Sequence, residues 1–173
     1  MKKLIALALT LVLLLGAADA LAEPEDYLGK TLPDFTVKTI DGSSFTLSES
    51  LKSHDLVLIN FWATWCGPCR MEFPFLQDAW QQYADRVDVI ALSVEETDTL
   101  KALQGFAKQN SLNFAIGRDE KRIFNAMHGY AIPTTLVVDR DGKIVSVEVG
   151  AKISASEFTE LFDSLLNEVN VGL

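Results

Sequence analysis

The sequence predicts one mixed α/β domain, a sheet flanked by helices, and three observations carry that prediction. Residues 56–62 are apolar at every position but Asn60, the pattern of a central strand buried on both faces. A second such run follows at residues 87–94. Downstream, Phe158, Leu161, Phe162, Leu165, Leu166 and Val169 recur at helical spacing, an apolar stripe suited to packing on a sheet. With 173 residues, 49% apolar and 23% charged, the chain is long and apolar enough to bury a full core as one domain.

Residues 1–22 read as an export signal. Lys2 and Lys3 supply the positive start, an apolar core follows, and Ala20-Leu21-Ala22 is a small-x-small cleavage pattern. The core is short for a membrane span, which needs about 20 apolar residues, so cleavage before Glu23 is expected and 23–173 forms the mature domain. Asp41-Gly42 then marks a small amino-terminal hairpin between residues 35–37 and 44–47. Residues 48–52 suggest a helical turn, 56–62 the central strand, and 71–83 a helix. After the strand at 87–94 a helix is expected from about Asp98, then a short extended piece at 113–116 and a helix from Asp119 carrying Ile123, Phe124 and Met127. Residues 134–139 and 143–149 form a hairpin across Asp141-Gly142. Ser154-Ala155-Ser156-Glu157 is a capping box that opens the last helix.

Charge narrows the function classes. The formal net charge is −9, from 15 basic and 24 acidic residues. Removal of Lys2, Lys3 and Asp19 with the leader leaves 13 basic and 23 acidic, or −10. Nucleic acid is disfavoured as a partner, because phosphate contacts need a basic face.

The only two cysteines are Cys66 and Cys69, two residues apart, where the central strand gives way to a helix. Free backbone N–H groups at a helix start lower a thiol's pKa and favour the nucleophilic thiolate. Gly67 and Pro68 lie between the cysteines, and Pro68 suits a first turn, where a missing N–H costs nothing. Cys69 lies one turn on, within reach of a disulfide with Cys66. A tetrahedral zinc site needs two more ligands, and His54 and His128 form no ligand pair. A c-type haem attachment needs His after the second cysteine, where Arg70 stands. A purely structural disulfide closing so small a loop constrains little unfolded-chain entropy. Redox chemistry is the reading left, with no cofactor beyond the dithiol itself. Export places that dithiol where disulfides persist. No other cysteine is present for it to act on within the chain.

Phe-Trp-Ala-Thr-Trp-Cys-Gly-Pro-Cys at 61–69 resembles the active-site signature of the thioredoxin superfamily. Ile132-Pro133-Thr134 resembles that superfamily's cis-proline segment, and Pro74 falls where its active-site helix carries a proline. With Leu32-Pro33-Asp34-Phe35 and Arg70-Met71-Glu72-Phe73-Pro74, the match is similar to the extracytoplasmic TlpA/ResA branch over nearly everything after the first thirty residues. The resemblance implies a thioredoxin fold, a central mixed sheet flanked by helices, with an amino-terminal β-hairpin and a central strand–helix insertion. It implies that Cys66 attacks a substrate disulfide and that the more buried Cys69 resolves the mixed disulfide. It places the backbone of Ile132 and Pro133 opposite Cys66, ready to offer strand-like hydrogen bonds. Trp65 reads either as an apolar docking surface beside Cys66 or as a packing residue.

The acid–base group is less direct. Thioredoxins keep a buried aspartate in the strand before the active site, but Asn60 stands there and cannot take up a proton. The branch has a glutamate just after the second main strand, which selects Glu96, or Glu95 if the match slips by one. Glu72 has a counterpart in the branch as well, but reads as an exposed helical charge.

The resemblance further implies a periplasmic reductase of disulfides in exported proteins, apocytochrome c maturation among its tasks, recharged by a membrane electron donor. A thioredoxin-like potential of about −270 mV against about −120 mV for a periplasmic oxidant is a gap of roughly 7 kcal/mol. The rivals are a thiol oxidant or isomerase, a peroxiredoxin-like peroxidase, and a binding module without turnover. The peroxidase signature would need Pro and Thr where Ile59 and Ala63 stand.

Overall fold

The computed structural model describes residues 22–171, so the export leader read at 1–22 lies outside them but for its last residue. A 3-10 turn at Pro24–Tyr27 leads into β1 (Thr36–Lys38) and β2 (Ser44–Thr46), an antiparallel pair. A short α1 (Leu47–Ser50) precedes β3 (Leu56–Trp62), α2 (Gly67–Tyr83), β4 (Val87–Ser93) and α3 (Leu100–Gln109). Then come β5 (Ala115–Arg118), α4 (Ile123–Ala126), β6 (Thr134–Asp139), β7 (Ile144–Val149) and α5 (Ala155–Val171). Strands β3 to β7 form one mixed sheet in the order β5-β4-β3-β6-β7. The β3–β4 and β4–β5 pairs are parallel, and β3–β6 and β6–β7 antiparallel.

The strand read as central is central, and all seven of its residues are buried. Side chains alternate across a sheet, so Leu56, Leu58 and Trp62 enter one core with Phe73 and Leu76 of α2, Leu103 of α3 and Phe158 and Phe162 of α5. Val57, Ile59 and Phe61 enter a second core with Phe35, Val37 and Phe45 of the amino-terminal hairpin and with Ile123 and Met127. Each fully buried aromatic contributes roughly 1.5–3 kcal/mol of transfer free energy. The hairpin is thus the lid of the second core.

Each outer edge of the sheet is met at one point by the amino-terminal segment, which shortens the free template for pairing with other chains. Gly29 N–H donates to Ile144 O and Ile144 N–H to Lys30 O along β7. On the other side Ile40 N–H donates to Ile116 O, beside a Thr39–Gly117 bridge. The approach there is so close that a Cβ on Gly117 would stand 2.7 Å from the Lys38 carbonyl oxygen.

Three boundaries depart from the sequence reading by two residues or more and bear on the site or its neighbours. The helix expected from residue 71 begins at Gly67, because Cys66 is its N-cap and Pro68 sits in the first turn. The extended piece expected at 113–116 forms β5 two residues later. The helix expected from Asp119 begins only at Ile123: Arg122 takes a left-handed conformation (φ 52°), and the Asp119 carboxylate accepts from the N–H groups of Ile123 and Phe124. Among the described residues no helix is long and apolar enough to cross a membrane.

Candidate active site

After β3 ends at Trp62 the chain turns through Ala63, Thr64 and Trp65, and Cys66 caps α2. Cys66 and Cys69 are joined in a disulfide, with Cα atoms 5.4 Å apart. The Cys69 N–H points at Cys66 Sγ, 3.2 Å away. In the reduced protein the same N–H, at the positive end of a 17-residue helix, favours a Cys66 thiolate. Cys69 is wholly buried and Cys66 is 3% exposed, so Cys66 is the sulfur at the surface side of the pair. Pro74 lies inside α2, where it leaves the Arg70 carbonyl without its usual helical donor.

Opposite the disulfide stands the segment before β6. The Ile132–Pro133 peptide bond is cis, and the Ile132 carbonyl oxygen lies 3.7 Å from Cys66 Sγ. The Thr134 hydroxyl donates to Ala131 O, and Gly150 N–H donates to Pro133 O, so both flanks of Pro133 are held. A Cβ on Gly67 would meet nothing within 4 Å, so the face between the cysteines is open. Trp65 is 65% exposed, which rules out simple core packing. Its indole N–H donates to Glu95 Oε2 at 2.8 Å.

The acid–base expectation needs correction. Glu96 is not buried beside Cys69: its side chain is 79% exposed and pairs with Arg122 Nη2 at 3.0 Å. The burial expected of a proton shuttle at this position is absent. Glu95 is half-buried, and the Thr97 N–H, followed by the Trp65 indole, holds its pKa below the usual carboxylate range.

The buried carboxylate is Glu72, read from sequence as an exposed charge and found fully buried. It sits three residues after Cys69, on the same helical face. Its Oε1 accepts from Asn60 Nδ2 at 2.8 Å and its Oε2 from Lys152 N–H at 3.1 Å. Desolvation outweighs these bonds and pushes its pKa up to about 7. Asn60 also donates to Thr135 Oγ1 on β6, while its own Oδ1 is buried without a partner. Turning that amide over offers Oδ1 to a protonated Glu72, so Asn60 can serve either charge state. The signal for this pair was Asn60 itself, one polar residue in an apolar strand, which must find a partner.

Asp98 was also missed. It is 5% exposed, and its carboxylate accepts from Ser93 Oγ, Thr64 Oγ1 and Thr64 N–H at 2.6, 2.6 and 3.1 Å. Among the described residues no group of three His, Cys, Asp or Glu side chains is placed to hold a metal ion.

This geometry agrees with what the chain is similar to. The model of the Redoxin family matches residues 28–165. The chain belongs to the Redoxin family. It is 36% identical over 123 residues to "Thioredoxin-like protein YneN" of Bacillus subtilis, covering 70% of this chain and 71% of that one. It is 34% identical over 125 residues to "Thiol-disulfide oxidoreductase ResA" of Bacillus thuringiensis, covering 71% and 70%. A thiol:disulfide interchange protein of the thioredoxin family from Chlorobium tepidum superposes with a TM-score of 0.68 at 27% identity, over 79% of this chain and 95% of that one. This Redoxin is a TlpA/ResA-like member of the thioredoxin superfamily and a thiol-disulfide oxidoreductase.

Proposed function

We propose that this Redoxin works as a reductase of disulfides in exported proteins, apocytochromes c among them, outside the cytoplasm. The observation that carries the reading is the dithiol placed at a helix start, with Ile132 O opposite and the buried Glu72 behind. In the reduced protein the Cys66 thiolate attacks one sulfur of a client disulfide. The client S–S bond breaks, a mixed disulfide forms on Cys66, and the departing client sulfur takes up a proton. Cys69 must then lose its proton to attack Cys66 Sγ, and Glu72, with a pKa near 7, is the group placed to receive it. The second client thiol leaves, and the enzyme is left as the Cys66–Cys69 disulfide. Two electrons and two protons have passed to the client, and a membrane electron carrier must return them.

Trp65 and the backbone of Ile132 and Pro133 form the surface that receives the client chain, and the leader at residues 1–22 supplies the export. Two experiments test the reading together. A Cys69→Ala variant expressed in cells is expected to accumulate mixed disulfides through Cys66 with exported proteins. The reduction potential is expected near that of thioredoxin, about −270 mV. A potential above about −150 mV, or an absence of captured clients, overturns the assignment as a reductase.

A further inference from the structure

The loop between β4 and α3 holds both residues that precede Cys66, and it does so with two carboxylates. Asp98 fixes Thr64 through its backbone N–H and its hydroxyl, and is itself anchored to Ser93 at the end of β4. Glu95 takes the next residue, accepting from the Trp65 indole N–H. The Glu95 carboxylate is fixed before it meets the indole, since its other oxygen accepts from Thr97 N–H at 3.0 Å and Thr97 Oγ1 at 2.9 Å. The base of the loop is continuous with the sheet, Val94 N–H donating to Trp62 O at 2.9 Å.

The result is unusual for a surface tryptophan. Trp65 is 65% exposed, yet its polar atom is satisfied within the protein, so what it shows to water is its apolar body. An exposed indole free to turn would lose that freedom on meeting a client, at a cost in affinity. A tethered one has lost it already. Tyr130, 61% exposed, lies two residues before Ile132, whose carbonyl oxygen is near Cys66 Sγ. The approach to the sulfur therefore runs between two segments that each expose an aromatic side chain.

We propose that Glu95 is a specificity-determining positioning residue: it holds the Trp65 indole as a fixed apolar wall beside Cys66, which selects client disulfides with a large apolar residue next to the attacked cysteine. This rests on the reductase reading above. Glu95 touches neither the client nor the reacting sulfurs and acts through Trp65.

The test uses the reduced full-length mature protein and two disulfide peptides that differ only in the residue beside the cysteine, leucine in one and glycine in the other. The wild type is expected to favour the leucine peptide by roughly tenfold in kcat/KM. Glu95→Ala is expected to bring that preference to within about twofold, through KM for the leucine peptide rather than through kcat. Glu95→Gln keeps an acceptor oxygen and should restore most of it. In a Trp65→Ala background the Glu95→Ala change should alter the preference no further. With 5-fluorotryptophan labelling, the Trp65 fluorine resonance should narrow in Glu95→Ala and not in Glu95→Gln. A preference that survives Glu95→Ala, or an equal loss of kcat on both peptides, overturns this proposal alone. A wild type that reduces neither peptide overturns the reductase reading and this proposal with it.

Discussion

Replacing Glu72 with glutamine removes the titrating group buried one helical turn beyond Cys69 while keeping its shape. The Glu72 carboxyl has a pKa of about 7 in the folded protein, raised by burial from 4.5. The folded state therefore keeps this proton up to about pH 7, while the unfolded chain releases it near 4.5. Between those values the folded state binds more protons, so stability falls as pH rises. The penalty is absent below the unfolded value and complete above the folded one. At about 1.4 kcal/mol per pKa unit it reaches roughly 3 kcal/mol. Urea unfolding of the oxidised protein at pH 5 and pH 8 measures it. The wild type is expected to lose about 2–3 kcal/mol more than Glu72→Gln over that interval. The same substitution should also remove a step near pH 7 from the rate at which the mixed disulfide resolves. Parallel stability profiles for the two proteins would refute the argument, since they would mean that Glu72 titrates like a solvated carboxylate.

Gly117→Ala should destabilise the protein by about 1–3 kcal/mol in urea unfolding, because its Cβ meets the Lys38 backbone carbonyl, which has no rotamer to give way. Phe158→Ala should cost about 3–5 kcal/mol, as Phe158 is fully buried in the core between α5 and the sheet. Asp98→Ala leaves Thr64 and Ser93 without their shared acceptor. It should cost about 1–3 kcal/mol and loosen the turn before Cys66, seen as faster amide exchange at Thr64.

The sheet was legible because its strands state their burial directly: β3 is apolar on both faces, and β7 alternates Val145, Val147 and Val149 with Ser146 and Glu148. The dithiol and the Ile132–Pro133 segment were legible because their spacing is rigid. Other features depended on contacts that spacing does not encode. Whether Glu72 is buried or exposed turns on where the chain near Lys152 passes, 80 residues away. The resemblance selected Glu96, or Glu95 on a one-residue slip, but a carboxylate at the end of β4 is buried only if something covers it, and Arg122 instead draws Glu96 into solvent. The helix expected at Asp119 shows the same limit. Its apolar residues are real, but the carboxylate that would begin it is spent on capping α4 from four residues away.

The central claim is that the start of α2 makes Cys66, and not Cys69, the attacking sulfur. Alkylation of the reduced protein by iodoacetamide across pH 4 to 10, with each cysteine followed by mass spectrometry, tests it most directly. Cys66 is expected to react with a midpoint well below the free-cysteine value of about 8.5, with Cys69 far slower throughout. A Cys66 midpoint at or above that value, or faster labelling of Cys69, would contradict the account.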